Sequence, residues 1–224
     1  MLNTKDMTVG TGKTKPVLEP GNQKIKVNSI TLDQTPYDSE AYNLVLHVES
    51  EPIGGDFEGF YKDMNNQGLG RYAGQVGRVR YSPFAFKDTV LNNGREIFKD
   101  QEILKSLIVL SEVLGKRTEL DSINASTITQ FVESCSKLFA GTGYFNACIN
   151  SREWLNKDGY VNDDLFLPRS SKEGIAIEAL DVENSKLLKF DRAKHVKSAA
   201  KPNATSQPAT AFEGTNGSGD DFTL

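Results

Sequence analysis

Between Phe57 and Lys99 the chain concentrates two kinds of side chain. Lys62, Arg71, Arg78, Arg80, Lys87, Arg95 and Lys99 face only four acids, Glu58, Asp63, Asp88 and Glu96. The local charge is therefore +3 in a chain whose formal net charge is −4. Eight of its twenty aromatic rings fall in the same stretch: Phe57, Phe60, Tyr61, Tyr72, Tyr81, Phe84, Phe86 and Phe98. Cations spaced along a groove suit phosphates. Flat rings suit bases without a pairing partner, at about 1–3 kcal/mol per stacked base. Arg78 and Arg80 lie two apart, so in a strand both point to one face. Gly68, Gly70, Gly74 and Gly77 let a backbone come close. The mixture points to unpaired nucleic acid, with Lys62, Arg71, Arg78, Arg80 and Lys87 on phosphates and Tyr72, Tyr81 and Phe84 on bases. Trp154, beside Arg152 and near Lys157, is a further stacking candidate. The competing reading makes Phe57, Phe84, Phe86 and Phe98 barrel core and the two arginines a solvated strand face.

Other chemistries find less to work with. The "GTGKT" at Gly10–Thr14 resembles a phosphate loop, but the glycine the motif requires five residues before Gly12 is Met7, and no strand and helix flank it. The acids of "DFE" (Asp56–Glu58) and "NDD" (Asn162–Asp164) read as solvated turn residues rather than a metal cluster. No Asp or Glu has Lys two positions later, the spacing of one common nuclease core. Two histidines, His47 and His195, offer little for zinc or general-base work. No Ser or Cys sits in a nucleophile elbow. An enzyme is not expected, and neither a cofactor nor a metal is required. The two cysteines, Cys135 and Cys148, lie among apolar neighbours and read as buried free thiols of a reducing compartment. No signal peptide or bilayer-length apolar run is present, so a cytoplasmic protein without membrane contact is expected.

The elements that must carry the basic and aromatic side chains read as α+β. Lys24–Ile30 alternates with one slip near its end. Ala41–Glu49 alternates cleanly, with Leu44, Leu46 and Val48 on one face and Asn43, His47 and Glu49 on the other. Short runs punctuated by Gly and Pro follow up to residue 88 and read as bulged strands. Within "DQEILKSLIVLSEVLG" a helical period appears, with Asp100 as cap and Gly115 as stop. Ile128, Phe131, Val132, Cys135, Leu138 and Phe139 form a second helical stripe ending at Gly141. "GYFNACINSREWLNKDGYVNDDLFLP" reads as a hairpin turned at Asp158-Gly159. "GIAIEAL" and "KLLKF" read as closing strands. The order predicts a small antiparallel β-barrel with an inserted helical pair, the insertion covering about 100–141. The domain runs 19–191, after a loose start at 1–18.

From residue 192 to 224 the composition turns to Ala, Lys, Pro, Asn, Ser, Thr and Gly, too little apolar surface to offset ordering entropy. This segment reads as a disordered tail, with Asp220, Asp221, Phe222 and Leu224 at its tip. Over the 29 residues from Asp191 to Asp220 a flexible chain reaches about 30 Å.

"LEPGNQKIKVNSI", "AYNLVLHVESEPIGGDFEGFYKD", "GRYAGQVGRVRYSPFAFKD" and "GYVNDDLFLP" are similar to segments of phage-encoded single-stranded DNA-binding proteins, including those of crAss-like phages. The resemblance covers most of 18–191. It implies an oligonucleotide-binding (OB) barrel acting on single-stranded DNA in phage replication, recombination or repair. It also implies that Asp220, Asp221, Phe222 and Leu224 recruit replication or recombination proteins. The tip ends in Phe-Thr-Leu rather than the Pro-Phe of the bacterial form, so a phage-encoded partner is as good an expectation as a host one. Preference between DNA and RNA, and homo-oligomer formation, stay open. The rival readings are a phage structural or assembly module and, further off, a metal-dependent DNA-processing enzyme.

Overall fold

The computed structural model describes residues 17–51, 74–158 and 160–199. Two long strands open the fold: β1 (Gly21–Thr35) and β2 (Asp38–Ser50), antiparallel and joined by the two-residue turn Pro36-Tyr37. The slip in the alternation of β1 is a bulge. Its register against β2 shifts between Val27 and Ser29, which lets both Val27 and Ile30 reach the core. The bend lets β1 serve two neighbours. Ile25 is opposite Ser50 of β2 on one side and Phe145 on the other.

Three strands complete the wall: β3 (Val76–Arg80), β6 (Phe145–Leu155) and β7 (Val161–Phe166). The pairing order β1-β2-β3-β7-β6 returns to β1 and closes a five-stranded barrel, OB-like in its connectivity. The expectation of an all-antiparallel barrel is corrected at one seam, because β3 and β7 run parallel. Two short strands, β4 (Thr89–Val90) and β5 (Glu96–Ile97), make a separate small hairpin after β3. The long β6–β7 hairpin forms as expected, with Asn156 Oδ1 accepting from the N–H groups of Asp158 and Tyr160 to shape its turn.

The insertion holds three helices rather than a pair: α1 (Lys99–Val113), the single-turn α2 (Arg117–Asp121) and α3 (Ile128–Phe139). Asp100 does not cap α1. The chain enters the helix through Phe98, and the capping carboxylate is Asp88, which accepts from Lys99 N–H at 2.7 Å. Gly115 ends α1 at φ 63°, a conformation that favours glycine. Ile103, Leu107 and Leu110 of α1 and Val132, Cys135 and Phe139 of α3 share one core with the inward residues of the strands, among them Ile25, Leu44, Leu46, Val48 and Val79. Ile30 N–H donates to Ser136 Oγ at 2.8 Å and ties α3 to β1 beside the bulge.

The remaining elements sit on β6. β8 (Ile177–Glu178) pairs with its start, but "KLLKF" makes only a bridge from Leu187 to Ile175. Burial raises the Glu178 pKa, yet the Ser185 hydroxyl and Lys186 N–H, at 2.6 and 2.8 Å, outweigh it and leave the carboxyl below its ordinary value. The domain also reaches further at both ends than its composition suggests. Val17 bridges to Val76, and Leu18 is buried against Gly77, where a Cβ would stand 2.6 Å from the Leu18 Cβ. Residues expected in the tail form α4 (Arg192–His195) and β9 (Val196–Lys197), and β9 pairs with Ser151 and Arg152. No helix among the described residues is long and apolar enough to cross a membrane.

Cys135 and Cys148 are buried and free, as expected. Burial pushes the Cys135 thiol up to about 12 and the Cys148 thiol up to about 11, from 9.0. The fold thus favours neutral thiols. That preference is intact below pH 9.0 and is lost as pH climbs through the two folded values. We expect both thiols to resist an alkylating reagent at neutral pH in the native protein and to react on denaturation, as counted by mass spectrometry. Urea midpoints are expected to hold up to pH 9.0 and to fall from there towards pH 11.

Candidate nucleic-acid interface

The outward faces of β2, β3, β7 and β6 carry a groove of about 450 Å³ lined by Asp33, Asn43, Val45, Arg78, Arg80, Arg152, Trp154 and Asp164, among others. Strand register explains the gathering. Val45 is opposite Arg80, His47 opposite Arg78, Arg80 beside Phe166, and Arg152 opposite Asp164. Leu46 and Val79, one step along, point into the core, so Arg78 and Arg80 both point out. Val45 is buried within this outer face and forms an apolar floor. Trp154 stands at the β6 end, 50% exposed.

The cations are not bare. Arg78 donates to Asp33 and remains 66% exposed. Arg80 is only 18% exposed and grips Asp164 with two bonds, Nε to Oδ1 at 3.0 Å and Nη2 to Oδ2 at 2.5 Å. Its third nitrogen reaches the Pro83 carbonyl at 3.4 Å, and its guanidinium lies 5.7 Å from the centroid of the buried Phe166 ring. Lys87 bonds Asp38 at 2.6 Å beside the β1–β2 turn. That contact pushes the Lys87 ammonium up and the Asp38 carboxyl down. Arg152 is exposed and has no ion pair among the described residues. His47 shares a 3.1 Å hydrogen bond with Thr31. The acids of "NDD" are not turn residues. They lie on β7, where Asp164 holds Arg80 and Asp163 accepts from the Ser151 hydroxyl.

The residues singled out from the sequence divide into groups. Arg78, Arg80 and Trp154 meet in the barrel-face groove. Tyr81, Phe84 and Lys87 line a different groove, between α1 and the segments 81–91 and 167–177. Tyr81 packs against the core, and burial pushes its phenol well above the ordinary value. Phe84 is 58% exposed and Phe98 is exposed too, so neither is core, whereas Phe86 packs on the core and bridges to Tyr42. Lys62, Arg71 and Tyr72 of the proposed face, and Asp220, Asp221, Phe222 and Leu224 of the tip, lie outside the described residues, as do Phe57, "GTGKT" and "DFE".

Three residues escaped the sequence reading. Tyr37 is 97% exposed at the tip of the β1–β2 turn, and Tyr160 is exposed in the β6–β7 turn. Arg169 lies with its guanidinium 4.8 Å from the Phe84 ring centroid. The two tyrosines sit beside turn signals, which was the available clue. Nothing local marked Arg169. Among the described residues no group of three or more His, Cys, Asp or Glu is placed to hold a metal. Searches for related proteins matched no family model, no curated protein and no solved structure.

Arg78 and Arg80 are therefore unequal. Replacing a shielded, bidentate arginine strands a carboxylate, whereas an exposed pair contributes about 0–1 kcal/mol. Arg80→Met is expected to lower stability in urea by about 1–3 kcal/mol, and Arg78→Met by less than half as much.

Proposed function

We propose that the chain is a sequence-tolerant single-stranded DNA-binding protein, without catalytic activity, whose barrel face holds the strand. The observation that carries this reading is the coincidence, on one outward face, of Arg78, Arg80, Arg152 and the half-exposed Trp154 over an apolar floor. Barrels of this connectivity take oligonucleotides across the second and third strands and between the β1–β2 and β6–β7 turns. Here those turns present Tyr37 and Tyr160. Phosphates would follow the arginines and bases would stack on Trp154 and the turn tyrosines. Exposed rings beside arginines suit the free faces of unpaired bases, which a duplex keeps stacked on one another, and this favours unpaired strands. A role in phage replication, recombination or repair, and recruitment of partners by the tip, belong to the same proposal. They rest on the sequence resemblance.

The direct test is an anisotropy titration with oligo-dT and with duplex of equal length at several salt concentrations. Tighter binding to oligo-dT is expected. About four neutralised phosphates give a slope of log K on log salt near −3. Equal affinity for duplex, or a flat salt response, would falsify the reading and favour a protein-interaction module. Trp154→Ala is expected to weaken binding by about 1–3 kcal/mol without lowering the melting temperature.

Asp33 adds a sharper expectation, because it occupies the guanidinium that a phosphate would take. Asp33→Asn frees Arg78 and is expected to tighten oligo-dT binding about two- to fivefold at low salt. The gain should shrink as salt screens the competition.

A further inference from the structure

We propose that the groove beneath the Phe84–Arg169 pair is a second tract for the same single strand, continuing the path that starts on the barrel face. This rests on the single-strand reading of that face and extends it to a site the face does not contain. The groove measures about 950 Å³ against about 450 Å³ for the barrel-face groove. It needs an occupant that combines flat apolar surface with negative charge. Its walls include Val109 and Val113 of α1 and Leu91 of the arm that runs from Tyr81 to Leu91, with Lys87, Lys99, Lys105 and Arg169 against Glu102 and Glu112. Lys87, Lys99 and Lys105 pair with Asp38, Asp88 and Glu102, so among the described residues the uncommitted positive charge is that of Arg169.

Continuity comes from the parallel seam. Arg80 and Phe166 are neighbours on β3 and β7, and Leu167 N–H donates to the Arg80 carbonyl at 2.8 Å. The two segments thus leave the barrel face side by side. Asp164 and Leu165 line the first groove, and Leu167, Pro168 and Arg169 the second. On the neighbouring β3 segment Arg80 lines the first, and Tyr81 and Phe84 beyond it the second. Phe84 is four positions on from Arg80, so their Cα atoms stand at most about 14 Å apart. At the seam the Arg169 guanidinium and the exposed Phe84 ring form a cation–ring pair. Arg169 has no carboxylate partner among the described residues, unlike Arg78 and Arg80. An aromatic ring with an uncommitted guanidinium is the combination that stacks a base and holds its phosphate. A strand passing Arg80 meets this pair next.

Length dependence tests the proposal. Oligo-dT of about 6 and about 16 nucleotides, spanning the site sizes of such barrels, is titrated against the wild type, Arg169→Ala and Phe84→Ala. Trp154→Ala serves as the barrel-face control. Each of the first two variants is expected to lose at least about fivefold more affinity for the longer oligonucleotide than for the shorter. Trp154→Ala is expected to lose a similar factor for both. Equal losses at the two lengths for Arg169→Ala and Phe84→Ala, or no loss at either, overturn the second tract and leave the barrel face standing. That outcome would favour a peptide in the groove. If the wild type binds neither length, the barrel-face reading itself fails and takes the second tract with it. Both side chains are exposed, so melting curves separate folding from binding.

Discussion

Ile25 has a strand on each side of it, and the barrel exists because one strand manages this. β1 is long enough to pair with β2 over most of its length and with β6 at its start. A flat strand would carry those two partners outward in one open sheet. The bulge after Val27 bends β1, keeps Val27 and Ile30 both inside, and brings β6 round to close the wall. Closure removes the edges of the sheet and leaves a continuous outer face. The register that puts Leu46 and Val79 in the core puts Arg78 and Arg80 on that face. The same constraint therefore shapes the core and aims the cations.

Those cations are held by carboxylates rather than left to solvent. Arg80 is fixed by two bonds to Asp164, by a carbonyl and by the Phe166 ring beneath it. A guanidinium fixed this way has already lost much of its conformational entropy, so an incoming phosphate need not impose that cost. The opposing effect is competition, since each carboxylate left behind would repel the proposed strand. The balance differs by site. Arg80 is shielded and structurally committed, Arg78 is exposed and exchangeable, and Arg152 is uncommitted among the described residues. Under the proposed single-strand reading, a graded face of this kind would bind through its outer cations and keep its shape through the inner one.

The sequence announced whatever depends on local pattern. The slip near Asn28, the alternation from Leu44 to Val48, the helical stripes and the β6–β7 hairpin could all be read from spacing. Contacts between distant residues were not legible. Nothing near Asp164 says that Arg80, 84 positions away, will hold it, so it passed for a turn acid. The parallel β3–β7 seam depends on how the insertion returns the chain. Val196 is buried and β9 pairs with β6, although the surrounding composition is that of a tail. Grouping Tyr81, Phe84 and Lys87 with Arg78 and Arg80 followed proximity in sequence. Past Arg80 the chain leaves the barrel face, and the group splits between two grooves.

The placement of the helices explains why there are two grooves at all. β3 and β6 are not neighbours, since β7 lies between them, so the chain between them needs a long connection. That connection turns Ile103, Leu107, Leu110 and Phe139 into the common core. Its bulk is thus committed inward, and Trp154 and Arg152 stay uncovered on the barrel face. A helix that buries one stripe must present another. The outer stripe of α1 holds Lys105, Val109 and Glu112, and the arm from Tyr81 to Leu91 faces it across the second groove. A purely polar stripe would have made that surface an ordinary solvated flank. Val109 on the helix and Phe84 on the arm are both exposed and apolar, and Arg169 stands over the ring. The insertion that completes the core therefore also builds the second groove, and the strands that define the first groove lead into it.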